Sequence, residues 1–179
     1  GEDHLSNTPK QIQIYEALGF PIPQFAHIPM ILGADRARLS KRHGATSVTQ
    51  YQDDGYLPEA MVNYLALLGW AFDGTQTLFS RDELIEKFSL EKVSKNPAIF
   101  DGKKLTWMNG QYMRELMPEE FFQVALPFLE KAELPLDQYS HGWLLGVTES
   151  YKTRIELLSE LPEAVHFFFY DPESYDEKA

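Results

Sequence analysis

The chain has 179 residues, 44% of them hydrophobic, with no cysteine and a net charge of −11. That length suits one large domain or two small ones. The lack of cysteine excludes disulfide scaffolds and thiolate metal sites, and no run of roughly eighteen apolar residues is present to span a membrane.

The opening GEDHLSNTPK is polar and acidic, so it reads as neither a signal nor a transit peptide. With no initiator methionine, Gly1 reads as an internal cut or a processed end. Ser6-Asn7-Thr8-Pro9 predicts a helix start, with a polar cap and proline in the first turn, and Gly19 predicts its stop. The stretch FPIPQFAHIPMIL is punctuated by proline and predicts a turn followed by a short buried strand at about Ile28–Leu32. A polar, basic loop follows from Gly33 to Gly44. Pro58–Leu68 predicts a helix closed by Gly69, and Ser80 to Glu83 has the form of a capping box. Lys103–Met117 predicts another helix, ended by Pro118.

Beyond Pro118 the texture is helical throughout. Phe121, Ala125, Phe128 and Ala132 recur at helical spacing, with Pro127 as a kink point. Trp143–Leu161 predicts one long amphipathic helix, and Pro162–Tyr170 a further short one. Trp107, Phe121, Phe122, Phe128 and the Phe167–Tyr170 run are expected to pack in the core rather than to stack bases. The acid-to-base balance shifts at the same place: residues 1–117 hold 12 Lys+Arg and 14 Asp+Glu, residues 118–179 hold 4 and 13. A domain boundary is therefore expected near Pro118. The fold class expected is mainly α with a short β element.

Net acidity argues against a nucleic-acid partner, but local potential decides where a phosphate chain can dock. Arg36, Arg38, Lys41, Arg42 and His43 lie within eight residues. In RARLSKRHG (36–44), Lys41 is a mobile point charge, the arginines offer bidentate forks, and Ser40 adds a hydroxyl. Gly33 and Gly44 bracket the segment. That set suits clamping a polyphosphate and stabilising charge that develops on it. Charge pattern alone leaves a solvated basic loop as the commoner reading. The histidines (His4, His27, His43, His141, His166) are scattered, so no metal site is expected from this chain alone.

The exact letters go further. RLSKR resembles the KMSKS loop of class I aminoacyl-tRNA synthetases, and LSKRHGATSV resembles the bacterial glutamyl-tRNA synthetases in particular. The likeness runs along the chain in order: GEDHLSNTPKQ, HIPMILG, RLSKRHGATSV, YLPEAMVNYLALLGW and FDGKKLTWMNGQY. The resemblance implies ATP-dependent activation of glutamate to glutamyl-adenylate and transfer to tRNA, with ATP, accompanied by Mg2+, as substrate. It implies Lys41 as the catalytic loop lysine on the ATP phosphates, with Arg38, Leu39, Ser40 and Arg42 in the same loop. Asp3 and His4 match positions beside the nucleotide, and Ile31 a position whose main chain lies against adenine. Arg36, Arg38 and Arg42 are the candidates for tRNA phosphates. Arg38 stands where the family usually has lysine, which alters the contact geometry.

By the same resemblance, residues 1–117 would be the end of a Rossmann-type core plus a helical stem-contact region. Residues 118–179 would be the first helical part of an anticodon-binding subdomain. No HIGH-type motif occurs in the sequence, so the chain reads as a fragment, inactive alone, of a cytoplasmic and monomeric enzyme. Two other readings are weighed. A glutaminyl-tRNA synthetase is disfavoured by HGATSV and by the helical texture after Pro118. A non-catalytic tRNA-binding module remains open, because resemblance of fold does not fix function.

Overall fold

Residues 1–40, 42 and 47–171 are described by the computed structural model. Contacts divide the chain into two units, one of Gly1–Gly44 with Asn63–Asp101 and one of Ala45–Val62 with Gly102–Ala179. The expected boundary near Pro118 falls inside the second unit, between two of its helices.

In the first unit, helix α1 spans Thr8–Leu18. Pro9 sits in its first turn, where a missing N–H costs nothing, and Gly19 closes it at φ 66°, a left-handed geometry that glycine adopts freely. Strand β1 is only Ile31–Leu32. It starts later than Ile28 because Pro29 has no N–H to donate to a ladder. The Ile28 carbonyl accepts instead from the Glu2 amide at 2.9 Å. Nor is the strand fully buried: Ile31 and Leu32 are intermediate and Ile28 is 55% exposed. β1 pairs in parallel with β2, Ala98–Ile99, in the register Ile31↔Ala98 and Leu32↔Ile99.

Helix α3, Pro58–Leu67, starts on a proline as expected, and Gly69 follows at φ 94°. Its buried Asn63 accepts the Phe79 amide at 2.9 Å, and its Tyr64 hydroxyl bonds both the amide and the carbonyl of Asp101. These bonds tie the following loops to the helix. Trp70, Phe79 and Leu84 form a small core against Ala66, Leu67, Phe72 and Val93.

Helix α4, Arg81–Lys87, opens with the capping box read from the sequence. The Glu83 amide donates to the Ser80 hydroxyl at 3.2 Å, and the Ser80 amide to the Glu83 carboxylate at 2.8 Å. Ser80→Ala is expected to cost about 1 kcal/mol, read as a fall of roughly 3 °C in the thermal midpoint. The box also titrates. The Ser80 backbone bond, then the Lys87 side chain, hold the Glu83 carboxyl below its usual range. Its contribution is therefore complete above the ordinary glutamate range and is lost as pH falls through the lowered value.

In the second unit, α2 (Val48–Asp53) follows the basic loop and has no counterpart in the sequence reading. Helix α5 spans Gly102–Glu115 and α6 spans Pro118–Lys131. α6 runs through Pro127 to Lys131 without ending at it. The expected long helix is broken: α7 ends at Tyr151 (His141–Tyr151), and a 3-10 turn at Leu158–Glu160 leads into α8, Leu161–Val165, and a second 3-10 turn, His166–Phe168. Lys152 stands at the end of α7. It is 7% exposed, and its ammonium donates to the Leu116 carbonyl at 2.9 Å and pairs with Glu149 at 2.7 Å.

Phe121, Phe122, Ala125, Leu129, Leu144, Val147, Leu161 and Val165 form the main core of this unit. Phe121 and Phe122 are core residues, as expected. Four other aromatic expectations are corrected, Phe168 among them at 37% exposed. Trp107 is 42% exposed, and Phe167 and Tyr170 are 56% and 42% exposed. The face of α5 that turns inward carries Leu105, Met108, Asn109, Gly110 and Met113, which leaves Trp107 outside it. In the last run only Phe169 is buried, against Tyr139 and Trp143.

Candidate functional site

The site is built on the short β1 strand. After Leu32 the chain turns back within five residues. The Gly33 amide donates to the Ala37 carbonyl at 2.8 Å and the Arg36 amide to the Gly33 carbonyl at 2.9 Å. Arg36 takes φ 60°, an uncommon geometry for a residue with a Cβ. One Asp35 carboxylate oxygen accepts the Ala37 amide at 2.9 Å, the local bond for which Asp is favoured in turns. The returning segment lies antiparallel to β1, with Leu32 opposite Arg38 and the Leu39 amide on the Ile31 carbonyl at 2.9 Å.

The N-terminal segment lies on the same strand. A 3-10 turn at Glu2–His4 is held by the Glu2 amide on Ile28 and by the Met30 amide on the Glu2 carboxylate at 3.4 Å. Asp3 accepts an ion-paired hydrogen bond from the Arg38 guanidinium at 3.2 Å. Desolvation opposes ionisation of Asp3, while the charges of His4 and Arg38 favour it and help to hold the carboxyl below its ordinary value.

Asp3, Ile31, Arg38 and Leu39 thus line one cleft of about 230 Å3, with Glu2, Pro29 and Met30 beside them. Four residues singled out from three separate stretches of the sequence come together there. His4 is directed elsewhere: its ring nitrogen meets the Asn7 amide at 3.4 Å, at the start of α1. Arg36 and Ser40 are exposed on either side of the returning strand. Arg42 pairs with Asp35 at 3.3 Å. Lys41, His43 and Gly44 lie outside the described residues. Glu2, Met30 and Asp35 were missed. For Asp35 a signal existed, an aspartate two residues before an amide in a Gly-x-Asp turn.

A larger cleft of about 490 Å3 lies in the second unit among Phe128, Leu134, Pro162 and His166, and none of the candidate ATP- or tRNA-binding residues lines it. Among the described residues no group of three or more His, Asp or Glu is placed to hold a metal, and no helix is long and apolar enough to cross a membrane.

Residues 1–107 match the family described as tRNA synthetases class I (E and Q), catalytic domain, which is more than half of the chain. The chain belongs to that synthetase family. Residues 120–179 of the synthetase chain match a second family, an anticodon binding domain. It is 51% identical over 180 residues to the glutamate–tRNA ligase of Moorella thermoacetica, and 50% identical over 177 residues to glutamate–tRNA ligase 1 of Caldanaerobacter subterraneus subsp. tengcongensis. Each match covers 99% of this chain but 37% of the relative. The synthetase chain therefore spans less than two fifths of the length of these relatives. Among solved structures it is similar to a glutamate tRNA ligase from Elizabethkingia meningosepticum in complex with its amino acid, at 33% identity and a TM-score of 0.79 over 99% of this chain and 38% of that one. It is also similar to the glutamate-tRNA synthetase of Elizabethkingia anophelis, at 33% identity and a TM-score of 0.80 over 99% of this chain and 39% of that one.

Proposed function

We propose that this chain is the loop-bearing part of a glutamate–tRNA ligase, which joins glutamate to its tRNA through an ATP-derived glutamyl-adenylate. The observation that carries the reading is the convergence of Asp3, Ile31, Arg38 and Leu39 on one cleft, in a chain about half identical to named glutamate–tRNA ligases. In this reading ATP lies against the main chain of Ile31, near Asp3 and His4. Arg38, Leu39, Ser40, Lys41 and Arg42 face its phosphates, with Lys41 as the catalytic cation. Arg36, Arg38 and Arg42 also give the tRNA backbone a local positive surface in an otherwise acidic chain. Mg2+ is expected to accompany ATP. The described residues offer it no cluster of three or more His, Asp or Glu.

Residues 1–117 serve as the end of the catalytic core and the stem-contact region in this proposal, and residues 118–179 as the start of the anticodon-binding part, within a cytoplasmic, monomeric enzyme. The test is aminoacylation by the full-length protein with glutamate and glutamine side by side. Charging with glutamate is the expected result. Charging with glutamine alone would shift the reading to the glutaminyl enzymes, and failure with both would leave a tRNA-binding module.

A further inference from the structure

Resting on the phosphate-facing loop just proposed, we infer that Asp35 is a positioning residue, which anchors Arg42 against the turn that brings the loop back along β1. Its two carboxylate oxygens do different jobs. One accepts the Ala37 amide at 2.9 Å and so is fixed to the backbone of the turn. The other accepts from the Arg42 guanidinium at 3.3 Å, seven residues further on. The turn is itself fixed to β1 through the Gly33–Ala37 and Leu39–Ile31 backbone bonds, and β1 is paired to β2. Arg42 therefore hangs from a point tied to the strand that lines the cleft, rather than from the loop alone.

The pair braces the guanidinium without hiding it. An arginine has five N–H donors in a planar fork, and the Asp35 contact runs through one terminal nitrogen. The other donors stay available to a phosphate. The Arg42 side chain is 66% exposed and that of Asp35 50%. An exposed pair of this kind has a small effect on stability, so its consequence should be seen in loop position and not in global folding.

The variants Asp35→Asn and Asp35→Ala separate the two jobs. Asparagine keeps an oxygen for the Ala37 amide and removes the charge facing Arg42; alanine removes both. In the full-length enzyme, Asp35→Asn is expected to raise the KM for ATP in ATP–pyrophosphate exchange by roughly three- to fivefold, with the KM for glutamate and the thermal midpoint unchanged. Limited trypsin digestion should show faster cleavage after Arg42 by a similar factor, with cleavage after Arg36 and Arg38 unchanged. Asp35→Ala should accelerate cleavage at those two sites as well. An unchanged KM for ATP overturns the inference. So does a lowered one, which would mean that Asp35 masks Arg42, and so does unaltered cleavage after Arg42 in Asp35→Asn. If the wild-type enzyme gives no exchange with glutamate with tRNA present, the functional reading fails by itself. The digestion pattern then decides the brace: faster cleavage after Arg42 supports it and unchanged cleavage rejects it.

Discussion

In the full-length enzyme, Lys41→Ala is expected to slow ATP–pyrophosphate exchange with glutamate by about a hundredfold, while tRNA affinity falls by less than about threefold. The approach of the loop sets this expectation. Leu39 is hydrogen-bonded to Ile31 and Arg38 lines the cleft beside Asp3, so the chain leaves the cleft two residues before Lys41. A lysine ammonium is a compact charge on a flexible stem, suited to phosphate oxygens whose charge changes as pyrophosphate departs. An interaction made mainly in the transition state lowers kcat when it is removed, instead of raising KM alone. A tRNA, by contrast, would be held by many phosphate contacts, each adding a modest, salt-dependent increment. If tRNA affinity dropped and exchange did not, Lys41 would belong to the RNA contact and the catalytic assignment would fall.

The second large effect is structural. Asn109→Leu is expected to destabilise this chain by about 3 to 4 kcal/mol, read as a loss of roughly 10 °C in thermal midpoint. Asn109 is completely buried in α5. Its side-chain oxygen accepts the Leu57 amide at 2.7 Å, and its side-chain nitrogen donates to the Glu156 carbonyl at 2.6 Å and the Gly55 carbonyl at 3.3 Å. Leucine has nearly the same shape but leaves three backbone groups without that partner, and each such loss in a buried place costs about 1 to 3 kcal/mol. Asn109→Asp should be about as harmful. It keeps the acceptor for Leu57 but turns a carboxylate oxygen toward two carbonyls. Equilibrium unfolding in urea checks both variants. A loss below about 1 kcal/mol would show that water takes over these bonds.

The elements legible in the sequence were those with local causes. Pro9 and Gly19 bound α1, Pro58 opens α3, and Ser80 with Glu83 caps α4. Of the candidate site residues chosen from the letters, Asp3, Ile31, Arg38 and Leu39 line one cleft. What escaped depended on distant partners. The parallel pairing of Ile31 with Ala98 has no local signature, and strands of two residues carry no periodicity. α7 ends at Tyr151, in a stretch with no glycine or proline to announce a stop. Trp107 was misplaced because hydrophobicity was used to choose the inner face of α5. That face holds Leu105, Met108 and Met113 together with a polar residue, Asn109, and Gly110, where a Cβ would lie 3.0 Å from the Arg114 side chain.

The hairpin on β1 has a consequence for how this segment can vary. Ile31 and Leu32 are held from both sides: the Ile31 carbonyl takes the Leu39 amide, and the Leu32 carbonyl takes the Phe100 amide at 2.8 Å. Arg38 is exposed and Leu39 half-buried, because neighbouring residues of an extended strand point to opposite faces. Adding or deleting one residue between Gly33 and Ala37 would exchange those faces, placing a leucine in water and a guanidinium against the apolar side. The turn is thus a ruler. Its letters can drift one at a time, but a single-codon insertion or deletion there would misdirect the whole basic loop.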